Sequence, residues 1–168
     1  MPLSTEQDDP GAAPDITVRT GSGAGLTRLS AFDAALLAAG VGDLNLIPLS
    51  SVIPPGSRLT RTTEPLAARH GDRLFCVLAC AWADQPGETA WAGLGWARDA
   101  TSRGLFVEHH SGSQASLLEQ IRLSLADMSA NRGGGFVDVE TATASAHYLD
   151  RPACAVAVAA YTVQGWER

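Results

Sequence analysis

Residues 44–56 read LNLIPLSSVIPPG, and the organisation of the whole chain follows from this stretch. It opens as an apolar run, presents Ser50 and Ser51 side by side, and ends in the diproline Pro54–Pro55. Each proline fixes its own φ angle and disfavours helical geometry in the residue before it. The two serines are therefore expected between two restricted segments, an unusual place for small polar residues unless a specific backbone geometry is required.

One chemistry needs such an arrangement. A serine hydroxyl held against the carbonyl of the preceding residue can attack it and convert the peptide bond into an ester. β-Elimination would then free residues 1–50, and hydrolysis of the dehydroalanine left from Ser51 would leave a pyruvoyl group at the start of residues 51–168. The oxyanion of the tetrahedral intermediate needs a hydrogen-bond donor, and Asn45 is the candidate. The pattern predicts cleavage between Ser50 and Ser51.

Four motifs follow one another in a fixed order around this point. They are AFDAALLAAGVG at residues 31–42, LNLI at 44–47, the serine pair and the diproline. A serine pair alone carries no weight, but the ordered set is specific, and it resembles pyruvoyl-dependent arginine decarboxylase. The resemblance implies a self-processing enzyme that converts L-arginine to agmatine and carbon dioxide. It also implies a covalent pyruvoyl cofactor derived from Ser51, which serves as an electron sink and requires no metal.

Glu108 is the candidate proton donor for the decarboxylated carbon. It lies in the predicted strand 104–110, at the end of Leu105-Phe106-Val107-Glu108, where burial would favour its neutral form. The resembling family has a glutamate in a similar strand, and the role carries over by that resemblance. His109 and His110 follow here in place of an aromatic and an acid, which could alter local protonation or substrate. An ordinary surface acid is the alternative for Glu108.

Asp33 is the candidate for holding a guanidinium group, because a carboxylate can accept two parallel N–H bonds from it. The resemblance places the substrate-binding aspartate in the Ala31-Phe32-Asp33 motif. The competing interpretation is structural: Ser30 would cap a helix, with Asp33 as the acid of a capping box. Asn45 has a similar alternative, as a buried amide that pairs with a neighbouring strand.

Composition and residue spacing limit the other functions and locations that the chain could have. The chain has 168 residues, 12 basic against 18 acidic ones, and no lysine, which argues against a nucleic-acid surface. His70, His109, His110, Cys76 and Cys80 show no metal-binding spacing. The three cysteines lie in apolar runs and are interpreted as buried thiols in a reducing cytosol. Neither a secretory signal nor a membrane span is evident, so we expect a cytoplasmic protein.

Strand and helix patterns complete the prediction. Residues 1–15 are expected to form a disordered tail, and residues 16–168 a single domain. Strands are predicted at 16–19, 44–50, 74–82, 89–97, 104–110, 136–148 and 153–163, with helices after Ser30 and over 114–129. The glycines of 21–25 are interpreted as a loop, and 84–88 as a hairpin turn. This order predicts an α+β fold; the resemblance implies a four-layer αββα sandwich assembled as a homotrimer.

Two other functions stay open at this point. The chain could be an unprocessed, non-catalytic relative that acts as a small-molecule-binding or structural oligomer. Pro48 favours this alternative, because it removes a backbone donor near the cleavage point. The chain could also be a pyruvoyl decarboxylase of a different amino acid.

Overall fold

Nine strands and two helices make up residues 11–167, the part of the chain that the computed structural model describes. The strands are β1 (Asp15–Ala24), β2 (Asn45–Pro48), β3 (Val52–Ile53), β4 (Arg58–Arg61), β5 (Arg73–Ala83), β6 (Thr89–Arg98), β7 (Gly104–Ser111), β8 (Val137–His147) and β9 (Ala153–Gln164). The helices are α1 (Arg28–Ala38) and α2 (Gln114–Ala130).

The strands form two sheets that pack face to face, with one helix on each outer side. The five-stranded sheet has the order β2-β5-β9-β1-β4, and the four-stranded sheet has the order β3-β7-β6-β8. One core cluster fills the space between the sheets, a second lies between α1 and the five-stranded sheet, and a third lies under α2. The predicted α+β fold, a four-layer αββα sandwich, is confirmed.

Alternating glycines let α1 lie directly on β1. Gly21 and Gly23 face the helix, and a Cβ added at Gly23 would come within 2.5 Å of the Cβ of Ala34. The interpretation of 21–25 as a loop is therefore wrong for most of this stretch. The segment continues β1 in register with β9, and glycine is required there for close packing of helix on strand.

The predicted hairpin across 84–88 is also wrong. β5 and β6 have the expected bounds, but β5 pairs with β2 and β9, whereas β6 pairs with β7 and β8. The turn consequently carries the chain from one sheet to the other. Breaker residues fix where a strand ends, but they do not decide whether the next strand pairs with it or packs across the core.

The cap of α1 differs from the prediction. Thr27 is the N-cap residue, its hydroxyl accepts a hydrogen bond from the Ser30 amide, and Ser30 completes the capping box at the third helical position. Ser30 was predicted as the cap itself, with Asp33 in the box. The helix begins earlier because Thr27 and Ser30 satisfy each other's backbone donors, which leaves the Asp33 side chain outside the cap.

All three cysteines are free thiols. Cys76 and Cys80 lie on the same face of β5, toward α1, as their spacing predicts. Burial raises the pKa of Cys76 to about 11 and also raises that of Cys80. These thiols therefore keep their protons near neutral pH and behave as small apolar side chains.

The proposed domain bounds stay a prediction. Residues 1–10 of the expected tail lie outside the described part of the chain, and Asp15 is already the first residue of β1. Among residues 11–167, neither helix has the length and apolar character needed to cross a bilayer.

We expect Gly23→Ala to lower the free energy of unfolding by about 1–3 kcal/mol, because the added methyl group must push α1 away from β1. Urea unfolding followed by circular dichroism measures the effect. Gly112→Ala is the matched control, since no atom lies within 4 Å of its added Cβ. A Gly23→Ala protein as stable as the control would contradict the close packing of α1 on β1.

Candidate active site

The serine pair lies where the chain passes from one sheet to the other. Leu49 extends the pairing of β2, because its amide donates to the Cys76 carbonyl at 2.9 Å. Three residues later the chain enters β3, which pairs with β7 in the opposite sheet. Ser51 makes this turn at φ +78°, in the left-handed region that non-glycine residues seldom adopt.

Ser51 is held at two atoms, its hydroxyl oxygen and its carbonyl oxygen. Its hydroxyl donates to the Glu108 carboxylate, with Oγ 2.8 Å from Oε2 and 3.1 Å from Oε1. Its carbonyl accepts a hydrogen bond of 2.8 Å from the Phe106 amide. Ser51 is 5 % exposed, so a strained, nearly buried serine faces a carboxylate. Such strain is a recognised feature of functional sites.

Glu108 reaches Ser51 from β7. Phe106 and Glu108 lie on the same face of this strand, two residues apart, and Phe106 is fully buried in the core between the sheets. Glu108 comes at the end of the buried run and is exposed in the single chain. The sequence therefore predicted the right neighbour for Ser51, but the expected burial of Glu108 is wrong within one protomer.

Tyr161 belongs to the same site, and the sequence analysis missed it. Its hydroxyl donates to the Val52 carbonyl at 2.8 Å, and its ring packs edge-to-face on Phe106 with centroids 6.2 Å apart. Burial, and secondarily the Glu108 carboxylate, raise the pKa of Tyr161. The tyrosine lies in a long apolar run, where nothing in the sequence distinguishes it from a core residue.

Asn45 does not contact the serine pair within the protomer. Its side-chain amide donates to the Gly71 carbonyl at 2.7 Å. From Asn45 the strand leads to Pro48, a distance of about 10 Å at the usual rise per residue. Asn45 is also exposed rather than buried, so the alternative of a buried structural amide does not describe it either.

Asp33 lies on the outer layer of the molecule. It is exposed on α1, whereas Ser51 and Glu108 lie at the space between the sheets. Phe32, its neighbour, lines a groove of about 320 Å³ together with Asn45 and Pro48. Because the capping box uses Thr27 and Ser30, the Asp33 carboxylate is not occupied as a cap.

The two histidines after Glu108 face different layers. His109 shares a hydrogen bond of 2.7 Å with Ser124 of α2. His110 lies on the same face of the strand as Glu108, and it lines a cleft of about 500 Å³ with Arg28 and Asp84. Of the two histidines, only His110 therefore shares a strand face with Glu108.

The residues around Ser51 fit a pyruvoyl group. Such a group would take its carbon atoms from Ser51, so the carboxylate now 2.8 Å from Oγ would lie beside its methyl carbon, next to the ketone. The Phe106 amide would still hold its carbonyl. Among the residues that the structure describes, no group of three or more His, Cys, Asp or Glu side chains is placed to bind a metal ion.

Comparison with known proteins agrees with this site. A family model described as pyruvoyl-dependent arginine decarboxylase matches residues 15–165. Relatives named pyruvoyl-dependent arginine decarboxylase come from several archaea. The one from Thermococcus kodakarensis is 33% identical over 136 residues, covering 80% of this chain and 85% of the relative. The one from Methanocaldococcus jannaschii is 30% identical over 148 residues, covering 86% and 87%. A Halobacterium salinarum relative is 40% identical over 96 residues, covering 56% and 59%.

The φ angle of Ser51 gives a stability test that is independent of catalysis. We expect Ser51→Gly to be more stable than Ser51→Ala by about 1 kcal/mol, because only alanine carries a Cβ into the left-handed region. Both variants lack the hydroxyl, so the difference in urea midpoint isolates the backbone. At Ser50, whose φ is not positive, the same pair is expected to show alanine at least as stable as glycine. Alanine being the more stable residue at both positions would contradict the strained turn.

Proposed function

Because this chain belongs to the pyruvoyl-dependent arginine decarboxylase family, we propose that it cleaves itself between Ser50 and Ser51 and then decarboxylates L-arginine to agmatine. The observation that carries the proposal is the hydrogen bond of 2.8 Å between Ser51 Oγ and Glu108 Oε2. A carboxylate at that distance is within reach of the proton that a serine nucleophile must lose.

Cleavage begins when Glu108 takes the proton from Ser51 Oγ. The oxygen then attacks the Ser50 carbonyl carbon, and the tetrahedral intermediate collapses with cleavage of the C–N bond, so that an ester replaces the peptide. The proton returns from Glu108 to the departing nitrogen. The same carboxylate is then free to remove the Cα proton of residue 51, which expels the Ser50 carboxylate and leaves dehydroalanine. One water molecule enters, ammonia leaves, and a pyruvoyl group remains.

The backbone strain at Ser51 supports this proposal. A residue held at φ +78° stores free energy of about 1–3 kcal/mol. The carbonyl that follows is fixed by Phe106 and the hydroxyl by Glu108. The ground state is therefore distorted where the bond breaks, and the hydroxyl is already oriented, which lowers the entropic cost of the attack.

In decarboxylation, the pyruvoyl group supplies a ketone that accepts the electrons released as carbon dioxide leaves. Glu108 has a second role in this reaction. Its carboxyl, already beside the atoms of residue 51, delivers a proton to the substrate carbon that has lost its carboxylate. An acid held beside that carbon transfers the proton faster and to a more defined position than bulk water would.

Asp33 and Asn45 can act at Ser51 only if protomers associate. Asp33 is exposed on α1, and the Asn45 amide is bonded to the Gly71 carbonyl, so neither group is bonded to the Ser51 hydroxyl within the protomer. In the homotrimer that we propose, the groove beside Phe32 of one protomer would face the Ser51 and Glu108 side chains of the next. That arrangement brings a carboxylate for the guanidinium and an amide for the oxyanion to Ser51. The cytoplasmic location stays a prediction from the sequence.

Ser51→Ala is expected to abolish both cleavage and carbon dioxide release, because it removes the attacking oxygen. Intact mass spectrometry of the purified protein measures the first effect, and release of labelled carbon dioxide from arginine measures the second. The adjacent Ser50→Ala is the matched control and should still yield fragments 1–50 and 51–168. If the unsubstituted protein keeps its full mass after prolonged incubation, the chain is an unprocessed relative and the proposal fails.

Asp33→Asn is expected to raise KM for arginine by about tenfold, because an amide cannot accept two charge-assisted bonds from the guanidinium. Self-cleavage should proceed at the rate of the unsubstituted chain. Steady-state kinetics checks this result, with Asp127→Asn on the exposed face of α2 as the control. An unchanged KM would remove the argument for arginine, and a panel of amino acids would then identify the substrate.

A further inference from the structure

We propose that Tyr161 is a positioning residue for both reactions, because its hydroxyl fixes the Val52 carbonyl next to the residue that is cleaved. The inference rests on the proposed function and assigns a role to a side chain outside the motifs that identify the family in this sequence. Tyr161 contacts the chain one residue after Ser51, so it acts through the backbone.

Two consecutive carbonyls are held from opposite sheets. The Ser51 carbonyl accepts a bond from Phe106 on β7, in the four-stranded sheet. The Val52 carbonyl accepts a bond from Tyr161 on β9, in the five-stranded sheet. Both bonds are 2.8 Å long. Together they fix two successive peptide planes, Ser51–Val52 and Val52–Ile53, and hence the direction in which the chain leaves the strained turn.

The strand β9 has an irregularity at Tyr161, and the regular alternation up to that residue directs its side chain into the core between the sheets. Along the strand, Phe75 pairs with Thr162 and Cys76 with Ala160, so Tyr161 is an extra residue without a partner on β5. Ala159 and Tyr161 lie in the core between the sheets, but Val163 lies on the α1 side. The alternation of faces therefore holds through Tyr161 and shifts only after it, as expected for a β-bulge, and bulges are common beside active sites.

The Tyr161 side chain is held in the orientation that the bond needs. Its ring packs at 64° on Phe106, which is fully buried. Burial and the neighbouring Glu108 carboxylate keep the phenol protonated by raising its pKa. The hydroxyl is therefore a donor throughout the range in which a carboxylate can accept a proton.

The need for Tyr161 becomes greater after cleavage. Residue 51 is then a chain end, and its covalent link to Ser50 is lost. The new end is held by the Phe106 amide, by the two-residue pairing of β3 with β7, and by Tyr161. Loss of the Tyr161 hydroxyl would loosen a chain end whose reactive atoms must stay beside Glu108.

Tyr161→Phe removes the hydroxyl and keeps the ring on Phe106. We expect the rate of self-cleavage and kcat each to fall by about three- to tenfold, the effect of one hydrogen bond. KM for arginine should not change. Cleavage is followed by intact mass against time, and kcat and KM by steady-state kinetics on the fully cleaved fraction. The control is Tyr148→Phe, since Tyr148 packs on the same core and its hydroxyl makes no hydrogen bond within residues 11–167.

The outcomes separate the two proposals. An unsubstituted protein that remains whole overturns the proposed function and this inference with it. If the unsubstituted protein is cleaved and Tyr161→Phe matches it in cleavage rate and kcat, this inference alone fails. Equal losses in Tyr161→Phe and Tyr148→Phe, accompanied by equal falls in urea midpoint, would show general destabilisation and would also overturn it.

Discussion

The turn of the chain at Ser51 is the constraint on which the rest of the structure depends. Here the backbone leaves one sheet and enters the other at φ +78°. Glycine would fit this conformation best, but glycine has no hydroxyl, and the contact with Glu108 requires one. The two partners that hold Ser51, Phe106 and Glu108, both lie on β7, which borders the core between the sheets. The turn therefore cannot relax unless β7 moves, and dense packing opposes such a movement.

The sandwich is built so that cleavage at this turn would leave it assembled. Of the described residues, those before the cleavage point form β1, α1 and β2. In the five-stranded sheet, β1 lies between β9 and β4, and β2 pairs with β5. Arg19 of β1, which is 3% exposed, donates to the carbonyls of Ala39 and Glu64, one on each side of the cleavage point. Separating the two fragments would thus require an inner strand and a buried guanidinium to leave the core.

Local sequence patterns predicted the four layers of the fold. They could not predict the features that depend on contacts between distant parts of the chain. The apolar runs and the stripe of α2 gave correct strands and a correct helix, because periodicity reflects burial directly. The 84–88 turn was assigned to a hairpin because a turn motif does not specify the sheet that the next strand joins. Asn45 and Ser51 are close in sequence but separated in the protomer by an extended strand. Tyr161 was missed because its role depends on a hydrogen bond to Val52, a residue 109 positions away in the sequence.

The proposed cleavage would also remove the strain that precedes it. The angle φ of residue 51 is defined by the bond from its nitrogen, and that nitrogen leaves as ammonia when the pyruvoyl group forms. The conformation at +78° then no longer exists as a torsion, so its strain is released fully. The carbonyls of residues 51 and 52 would keep their donors, Phe106 and Tyr161. Release of this strain would favour the cleaved product over the precursor, and the two carbonyl contacts would keep the carbon atoms of residue 51 near Glu108 for the proposed second reaction.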